Sequence, residues 1–463
     1  MKRIFFVLVA VFVVNLSYAQ KVDTAYKKIT NKINIQENEV RRIISTLAAD
    51  SMLGRGLYNH GAMKAADFIE GEYKKIGLET WNVAAVKGYR QGLSAVRLKS
   101  LDGTVKIGDS VIDSRNVIFV SDKSEFTWSD TSAKKPLVVH IGPKDDILSR
   151  LKIVEATKDD AIILIDVALR QFFGAYRSKF RRDRFETDSA TLSKSSYVFI
   201  LTDKTTLPKY NIHLKTNIEY VPLYNMIGVI PGKSKKNEYV IYSAHYDNLG
   251  VIGVNKGDSI ANGADENASG VTAVLALAKY FKEKNDNERT LLFVNYGAET
   301  VSSLSSKYFA KHIDGNSVVA VVNLDAIGKE SKFGPRSTFI TGFDKSNLGE
   351  HFAEKANQIK FKFKADPYKD KGLFYQAANT PLGMMGVPSH TFSTIQIDID
   401  RYFNSVRDDM NTIELENMVE IIKAVAFVSD DLIKGVFTPS KISNYKDDPS
   451  SPRNIKRAQN SGH

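Results

Sequence analysis

The order of apolar and polar residues in the second half of the chain predicts buried strands with reactive side chains at their ends. Three apolar runs stand out: Tyr239–Ala244, Leu291–Ala298 and Val318–Leu324. They are followed directly by His245, Glu299 and Asp325. Short continuous apolar runs are typical of strands buried on both faces. Because open α/β sheets place their sites at the carboxyl ends of the strands, we expect these three side chains at one edge.

The alternation of strand-like and helix-like segments predicts an α/β fold. From Tyr224 onward, the predicted strands are Met226–Ile230, Tyr239–Ala244, Leu291–Tyr296, Val318–Leu324 and Ser389–Ser393. The predicted helices are Gln36–Ala49, Ala62–Lys75, Ser269–Lys284, Ser303–His312, Glu350–Gln358 and Ile413–Ile433. Such alternation predicts a mainly parallel, mixed sheet that is sandwiched by helices.

Residues 89–221 differ in character and predict an inserted β-rich domain. Short β-rich runs there are separated by polar, charged segments: Asn116–Val120, Leu137–Ile141, Ala161–Val167 and Tyr197–Leu201. His140 and His213 stand alone, without neighbouring ligand-type residues. We therefore assign residues 20–88 and 222–437 to the α/β domain and expect the chemistry there.

The two ends of the chain predict export and a disordered tail. Lys2 and Arg3 precede the apolar stretch Ile4–Leu16, and Ser17-Tyr18-Ala19 has the small-x-small pattern of a cleavage site. Residues 1–19 therefore read as a signal peptide, which predicts a bacterial periplasmic or secreted protein without a stable membrane anchor. Residues 438–463 are rich in Pro, Ser, Asn and charge, which predicts disorder.

The amino-acid composition limits which metal ligands and which partners are possible. The chain of 463 residues has no cysteine, so any zinc must be held by histidine and carboxylates. Its net charge of +11 raises the question of a nucleic-acid partner. The densest basic patch, Arg170 to Arg184, is interrupted by acidic Asp183, and we interpret it as a solvated loop or helix face. No nucleic-acid partner is expected, and nothing in the sequence sets the oligomeric state.

The ligand-type residues have spacings that suit a hydrolytic zinc site. In His245-Tyr246-Asp247 the two outer side chains share a face of an extended strand end, so Asp247 is expected to orient the imidazole of His245. Asp265 lies in a tight loop just before a predicted helix. An Asp at such a position is also a common helix cap. The prediction that Asp265 is a metal ligand therefore depends on its occurrence together with Asp325 and Glu299.

The ordered set of motifs resembles the secreted zinc peptidases of family M28, which include bacterial aminopeptidases and relatives of glutamate carboxypeptidase. The matching segments are Leu53–Gly56, Ala65–Gly77, Tyr224–Gly232, His245–Asp247, Asn262–Gly270, Gly297–Glu299, Ser306–Phe309, Asn323–Asp325 and Gly386–Phe392. The resemblance runs from Asn34 to Ile433, apart from the inserted domain. That insertion occupies the place where many such peptidases carry a protease-associated domain.

The resemblance implies one intact zinc site and one lost site. Transferred to this chain, the first zinc would be held by His245, Asp265 and Asp325, with Glu299 as general base. The second zinc would need ligands at Thr300 and Asn404, which are neutral residues. We therefore expect one zinc per chain.

Other positions also depart from the family pattern. Glu266 stands where the family usually has Asp, and Gln376-Ala377-Ala378-Asn379 replaces the usual Arg-Ser-Asp-x run. His390 is considered as a substitute ligand and is not favoured, because family members often have His there too.

Two functional hypotheses remain open from the sequence. The first is a peptidase of the aminopeptidase type with a mononuclear zinc site. The second is a catalytically inactive homologue that binds a peptide or another protein through the same cleft. A carboxypeptidase-like or cyclase-like activity on the same scaffold is a weaker third option.

Overall fold

The computed structural model describes residues 30–83, 85–180, 184–186, 195–255 and 257–443. The predicted signal peptide, residues 1–19, lies outside the described residues. Within the described part of the chain, no helix is both long and apolar enough to cross a membrane. The described residues form two compact units, with the chain passing from one to the other after Gly92 and again after Pro222.

The first unit is built on a large mixed sheet. Its strands, in spatial order, are Lys362–Ala365, Ser337–Ile340, Ser389–Ser393, Val318–Leu324, Lys235–His245, Arg289–Tyr296 and the Met226–Ile230 part of Tyr210–Ile230. The pairings from Ser389–Ser393 through to Arg289–Tyr296 are all parallel, whereas Met226–Ile230 pairs antiparallel with its neighbour. The predicted α/β fold with a mixed sheet flanked by helices is confirmed.

Side chains of the central strands pack against helices on both faces of the sheet. Ile241 lies in a core cluster with Phe309 of the helix Leu304–Lys311. Its neighbour Tyr242 instead packs its ring against Phe281 of the helix Gly270–Lys284, at 5.2 Å between ring centroids. Successive strand residues point to opposite faces, so this pair shows that both faces are covered. A strand covered on both faces must be apolar throughout, as the sequence pattern indicated.

The remaining helices of this unit and a short hairpin complete the fold. The helices are Glu37–Leu47, Gly61–Ile76, Leu348–Ala356, Thr380–Gly383, Leu415–Val428 and Asp430–Ile433. The hairpin pairs Gly250–Asn255 with Asp258–Ala261 and was not predicted from the sequence. The strands Ser337–Ile340 and Lys362–Ala365 were also missed, because runs of four residues carry too little periodicity to register.

The second unit, residues 93–222, contains a four-stranded sheet of its own. Its order is Val117–Val120, Tyr197–Leu201, Ala161–Ile165 and Leu137–Ile141. The last three strands are mutually parallel, and Val117–Val120 joins antiparallel. Two helices, Ile147–Thr157 and Arg170–Phe180, accompany the sheet, so the first part of the basic patch lies on a helix.

Residues 438–443, at the start of the segment predicted to be disordered, make contacts within the first unit. The backbone N–H of Ile442 donates to the carbonyl of Gly386, and the Ile442 side chain is buried. Ser440 and Asn347 exchange two hydrogen bonds. Polar composition hid these contacts, because one buried isoleucine and a few backbone hydrogen bonds leave no periodic signature. Residues 444–463 lie outside the described part of the chain.

His390 is a structural residue inside the strand Ser389–Ser393. It is fully buried, and its ring nitrogens face the hydroxyl of Ser346 at 2.7 Å and the carbonyl of Thr341 at 2.9 Å. Burial lowers the pKa of His390 to about 4, although the hydrogen bond with Thr341 opposes this. Such an imidazole stays neutral in the folded chain at neutral pH.

This buried imidazole predicts acid sensitivity. Between pH 6.5 and 4 the unfolded chain binds a proton at His390 that the folded chain does not, so stability falls as the pH falls through that window. The contribution should reach about 2 kcal/mol at pH 5. Urea unfolding of the wild type and of His390→Gln, at pH 7 and pH 5, measures it. The pH-dependent loss should shrink by that amount in His390→Gln and persist in His60→Gln, an exposed control; equal losses in the two variants would contradict this.

Candidate metal centre

Three side chains of the first unit converge on one point. The Nε2 atom of His245 lies 3.2 Å from Oε1 of Glu266 and 3.7 Å from Oδ1 of Asp325. The three side chains are 7%, 15% and 20% exposed, respectively. Among the described residues, this is the one group of three or more histidines and carboxylates close enough to share a metal ion.

The sheet brings two of these residues together. His245 is the last residue of the strand Lys235–His245, and Asp325 follows directly after Val318–Leu324. The two strands are parallel neighbours, with Ser243 opposite Asn323. Their carboxyl ends therefore lie side by side, as expected for a site at the edge of an α/β sheet.

The third member of the group is Glu266, whereas the sequence analysis assigned Asp265. The carboxylate of Asp265 turns away: its Oδ1 accepts a hydrogen bond from the Gly328 N–H at 2.7 Å, and its Oδ2 lies 3.5 Å from Nζ of Lys329. The backbone at Glu266 is extended, with φ −104° and ψ 94°. The Asp265 carboxylate is thus held by Gly328 and Lys329, whereas the Glu266 carboxylate reaches His245. Glu266 therefore replaces Asp265 in the candidate metal-binding set.

Asp408 binds the backbone N–H groups of the loop that carries Glu266. The two carboxylate oxygens of Asp408 accept the backbone N–H groups of Asp265 and Glu266, each at 2.9 Å. This pair of hydrogen bonds fixes the plane of the loop directly before the helix Gly270–Lys284.

Arg55 binds backbone carbonyl groups of the same loop. This guanidinium is fully buried and donates to five backbone carbonyls within 3.2 Å, which belong to Leu47, Tyr246, Asn262, Gly263 and Glu266. One side chain thereby ties the helix Glu37–Leu47, the residue after His245 and the Glu266 loop together. The sequence analysis named Arg55 only as part of the segment Leu53–Gly56, because no local sequence pattern indicates that an arginine is buried.

The charge of Arg55 is balanced through space. Burial lowers the pKa of Arg55 to about 10, while the carboxylates of Asp408, Asp247 and Glu266 oppose that shift. The guanidinium therefore stays charged at neutral pH and offsets part of the negative charge gathered around the cluster.

Asp247 orients the site differently from the prediction. The Nδ1 atom of His245 makes its hydrogen bond to the backbone carbonyl of Asp247 at 3.0 Å, and the carboxylate lies farther away at 3.7 Å. That carboxylate accepts the backbone N–H groups of Glu299 and Thr300 and the Thr300 hydroxyl. Burial raises the pKa of Asp247, but the nearby imidazole of His245, with the hydrogen bonds from Thr300 and Glu299, brings it below the ordinary value. Asp247 thus links the His245 strand end to the Glu299 strand end.

Glu299 is held at the start of the helix Leu304–Lys311. Its Oε1 accepts from the Ser305 hydroxyl at 2.9 Å and the Ser306 N–H at 2.7 Å, and its Oε2 accepts from the Ser306 hydroxyl at 2.9 Å. A carboxylate has about four lone-pair sites, so these bonds leave one on Oε2 for a further donor. Burial raises the pKa of Glu299, against the effect of the three hydrogen bonds.

The two positions implied for a second metal do not supply ligands to the cluster. The Thr300 hydroxyl is already donated to Asp247. Asn404 is exposed, with φ 54°, in a loop.

The cluster suits zinc in its donor types and in its spacing. One imidazole nitrogen and two carboxylate oxygens are donors that zinc accepts, and ligand atoms of a tetrahedral zinc site lie about 3.3 Å apart. The observed separations of 3.2 and 3.7 Å are close to that value. Burial, together with the negative charge of Asp325, raises the pKa of Glu266 to about 8, so the site favours a cation beside these two carboxylates.

A cavity of about 380 Å³ opens beside the cluster. Glu266 and Asp325 form part of its wall. Much of the remaining wall is apolar, including Phe339, Leu373, Ile395, Ile397 and Phe403. A pocket of this size and character next to reactive groups is the usual form of a small-ligand site.

Arg55 supplies a test of how the site is built. Arg55→Met would remove the hydrogen bonds to five backbone carbonyls, four of them in buried residues, and the free energy of unfolding should fall by at least about 3 kcal/mol. Arg41→Met, which changes an exposed arginine of the neighbouring helix, should stay within about 0.5 kcal/mol of the wild type. Urea unfolding of both variants checks this, and equal stability of the two would refute the role given to Arg55.

Comparison with known proteins agrees with this fold. Residues 225–429 match the sequence model of Peptidase family M28. The vacuolar membrane protease of Schizosaccharomyces pombe is 27% identical over 140 residues, which make up 30% of this chain and 15% of that protein. The match thus spans a small part of the length of that relative.

Solved structures share the fold. A zinc aminopeptidase from Bacillus subtilis superposes with a TM-score of 0.55 over 90% of this chain and 98% of its own, at 16% identity. An aminopeptidase from Aneurinibacillus sp. strain AM-1 gives a TM-score of 0.54 over 88% and 95% of the two chains, also at 16% identity. The matched segment 225–429 includes His245, Glu266, Glu299 and Asp325, so the part of the chain that carries the candidate site is the part similar to Peptidase family M28.

Proposed function

We propose that the protein is a zinc metallopeptidase of the aminopeptidase type, with one zinc held by His245, Glu266 and Asp325. The observation that carries this proposal is the convergence of one imidazole and two carboxylates beside an apolar cavity. Glu299 is proposed as the general base. The match of residues 225–429 to Peptidase family M28 and the fold shared with solved aminopeptidases support the same function.

The arrangement of Glu299 supports its role as a base. A bound zinc would acidify a water molecule and polarise the peptide carbonyl. The remaining lone pair on Oε2 of Glu299 can accept the proton of that water, while Ser305 and Ser306 keep the carboxylate from rotating. Burial raises the pKa of Glu299, which moves its basicity towards the neutral range where a general base works best.

The proposed number of metal ions is one. Thr300 is already occupied as a donor to Asp247, and Asn404 is exposed in its loop. A second zinc would therefore find neither an anionic nor an imidazole ligand at these two positions. A single zinc suffices for both activating water and polarising a carbonyl.

The same departures favour a second candidate function, a catalytically inactive homologue that binds peptides or a protein partner. Its cavity would remain, because the apolar wall does not depend on Thr300 or Asn404. We also propose export through residues 1–19 and a protease-associated-like role for the unit of residues 93–222. Both rest on the sequence pattern.

Metal analysis separates the two candidate ligands in the Glu266 loop. The purified chain should hold about one zinc, and Glu266→Gln should reduce it to well below one, because a ligand is lost. Asp265→Asn should retain zinc, since the Asp265 carboxylate contacts Gly328 and Lys329 instead. Elemental analysis after exhaustive dialysis measures both. Loss of zinc in Asp265→Asn with retention in Glu266→Gln would reverse the assignment.

Hydrolysis of dipeptides and aminoacyl-nitroanilides tests the proposed activity. Glu299→Gln should lower kcat by about 10²–10⁴-fold, because general base catalysis is removed. Its zinc content should match the wild type, since Glu299 lies outside the ligand group. Wild-type turnover no greater than that of Glu299→Gln would leave the binding function as the surviving candidate.

A further inference from the structure

The cavity beside the cluster is lined by acidic, basic and apolar side chains. The acidic ones are Glu266 and Asp325. Elsewhere on the rim lies Lys371, which is the cation among the described residues that line this cavity. Lys371 belongs to the short turn Lys369–Lys371 and has a side chain that is 58% exposed.

Polar groups of the wall are largely satisfied within the protein. The Thr391 hydroxyl donates to Asn379 and accepts from Asn323, and the Thr341 hydroxyl accepts the Thr391 N–H. The Ser393 hydroxyl donates to the carbonyl of Ala326 at 3.3 Å. An apolar group could lie against these hydroxyls without stripping them of partners, so they do not oppose an apolar ligand.

The ammonium of Lys371 is only weakly engaged. Its ion pair is with Asp370, its neighbour in sequence, at 3.1 Å, and the Asp370 side chain is 73% exposed. Exposed pairs of this kind contribute little and exchange readily with water or other anions. The Gln376 amide bonds to the backbone carbonyl of Lys371 at 2.6 Å, which fixes the turn without using the ammonium.

These features define the ligand by its chemistry. An acidic side chain would set a charge against the apolar wall formed by residues such as Phe339, Ile395 and Phe403. An apolar amide would leave the ammonium of Lys371 unused. A residue with an apolar side chain and a free α-carboxylate satisfies both the wall and the cation, and this combination occurs at the C-terminus of a peptide.

We propose that Lys371 recognises the free C-terminal carboxylate of short peptides whose last residue is apolar, with that side chain in the cavity beside the cluster. This inference rests on the proposed peptide specificity of the site and narrows it to small free-acid peptides, such as dipeptides. Lys371 acts here in substrate selection and takes no part in bond cleavage.

Binding to the Glu299→Gln background tests the inference without requiring turnover. The probes are Leu-Phe, Leu-Phe amide and Leu-Ser, titrated by calorimetry against the zinc-supplemented full chain. Leu-Phe should bind about tenfold or more tightly than its amide, because a charge-assisted contact is lost in the amide. It should also bind more tightly than Leu-Ser, because serine cannot fill the apolar wall.

The lysine is tested by a matched pair of substitutions in the same turn. Lys371→Gln in the Glu299→Gln background should bind Leu-Phe and Leu-Phe amide equally, and Lys371→Arg should restore the preference for the free acid. Lys369→Gln removes the same charge from a lysine that does not line the cavity, and it should keep the full preference.

The outcomes separate this inference from the proposed function. Equal binding of acid and amide to Glu299→Gln, no binding of either, or an unchanged preference in Lys371→Gln would overturn the role of Lys371, whatever the wild type hydrolyses. A Lys371-dependent preference in a protein without turnover would support the inference and point to the peptide-binding function instead.

Discussion

The buried guanidinium of Arg55 is the contact on which the geometry of this site depends. Five backbone carbonyls from three separate segments share its five N–H groups, so the loop with Glu266 and the strand end with His245 are fixed relative to one another. Backbone carbonyls need donors when they are buried, and a planar guanidinium can supply several at fixed angles. Asp408 completes the frame by accepting the two N–H groups on the opposite side of the loop. A rigid loop is what allows one carboxylate of two neighbours to face the cluster.

Arg55 also stabilises the site through its positive charge. The carboxylates of Asp247, Glu266 and Asp408 all interact electrostatically with Arg55. Burying each of them would be costly without a positive charge nearby. Lys329 lies beside Asp265, whereas neither Glu266 nor Asp325 forms an ion pair with a lysine or arginine of the described chain. Burial lowers the pKa of His245, but the carboxylates of Asp247, Asp325 and Glu266 raise it well above its ordinary value. The imbalance is therefore local to the cluster, where a divalent ion would correct it. Thr300 and Asn404 add no negative charge, which supports the proposal of a single metal ion.

The sequence predicted the fold well and the site in part, and the difference has physical reasons. Continuous apolar runs located the central strands, because strands buried on both faces leave a strong local signature. His245 and Asp325 followed from their places at strand ends. The choice between Asp265 and Glu266 depends on the extended backbone after Asp265, which hydrogen bonds to Arg55 and Asp408 impose from distant parts of the chain. No local pattern reports such bonds. The contacts of residues 438–443 were not predicted from the sequence for the same reason.

The central claim is that a single zinc ion lies between His245, Glu266 and Asp325. The most direct measurement is anomalous diffraction at the zinc absorption edge from crystals grown with excess zinc. We expect one strong anomalous peak in each chain, within bonding distance of His245 Nε2 and of carboxylate oxygens from Glu266 and Asp325. Two peaks a few ångströms apart would contradict the single-metal site. A peak bonded to Asp265, or no peak at saturating zinc, would contradict the ligand assignment itself.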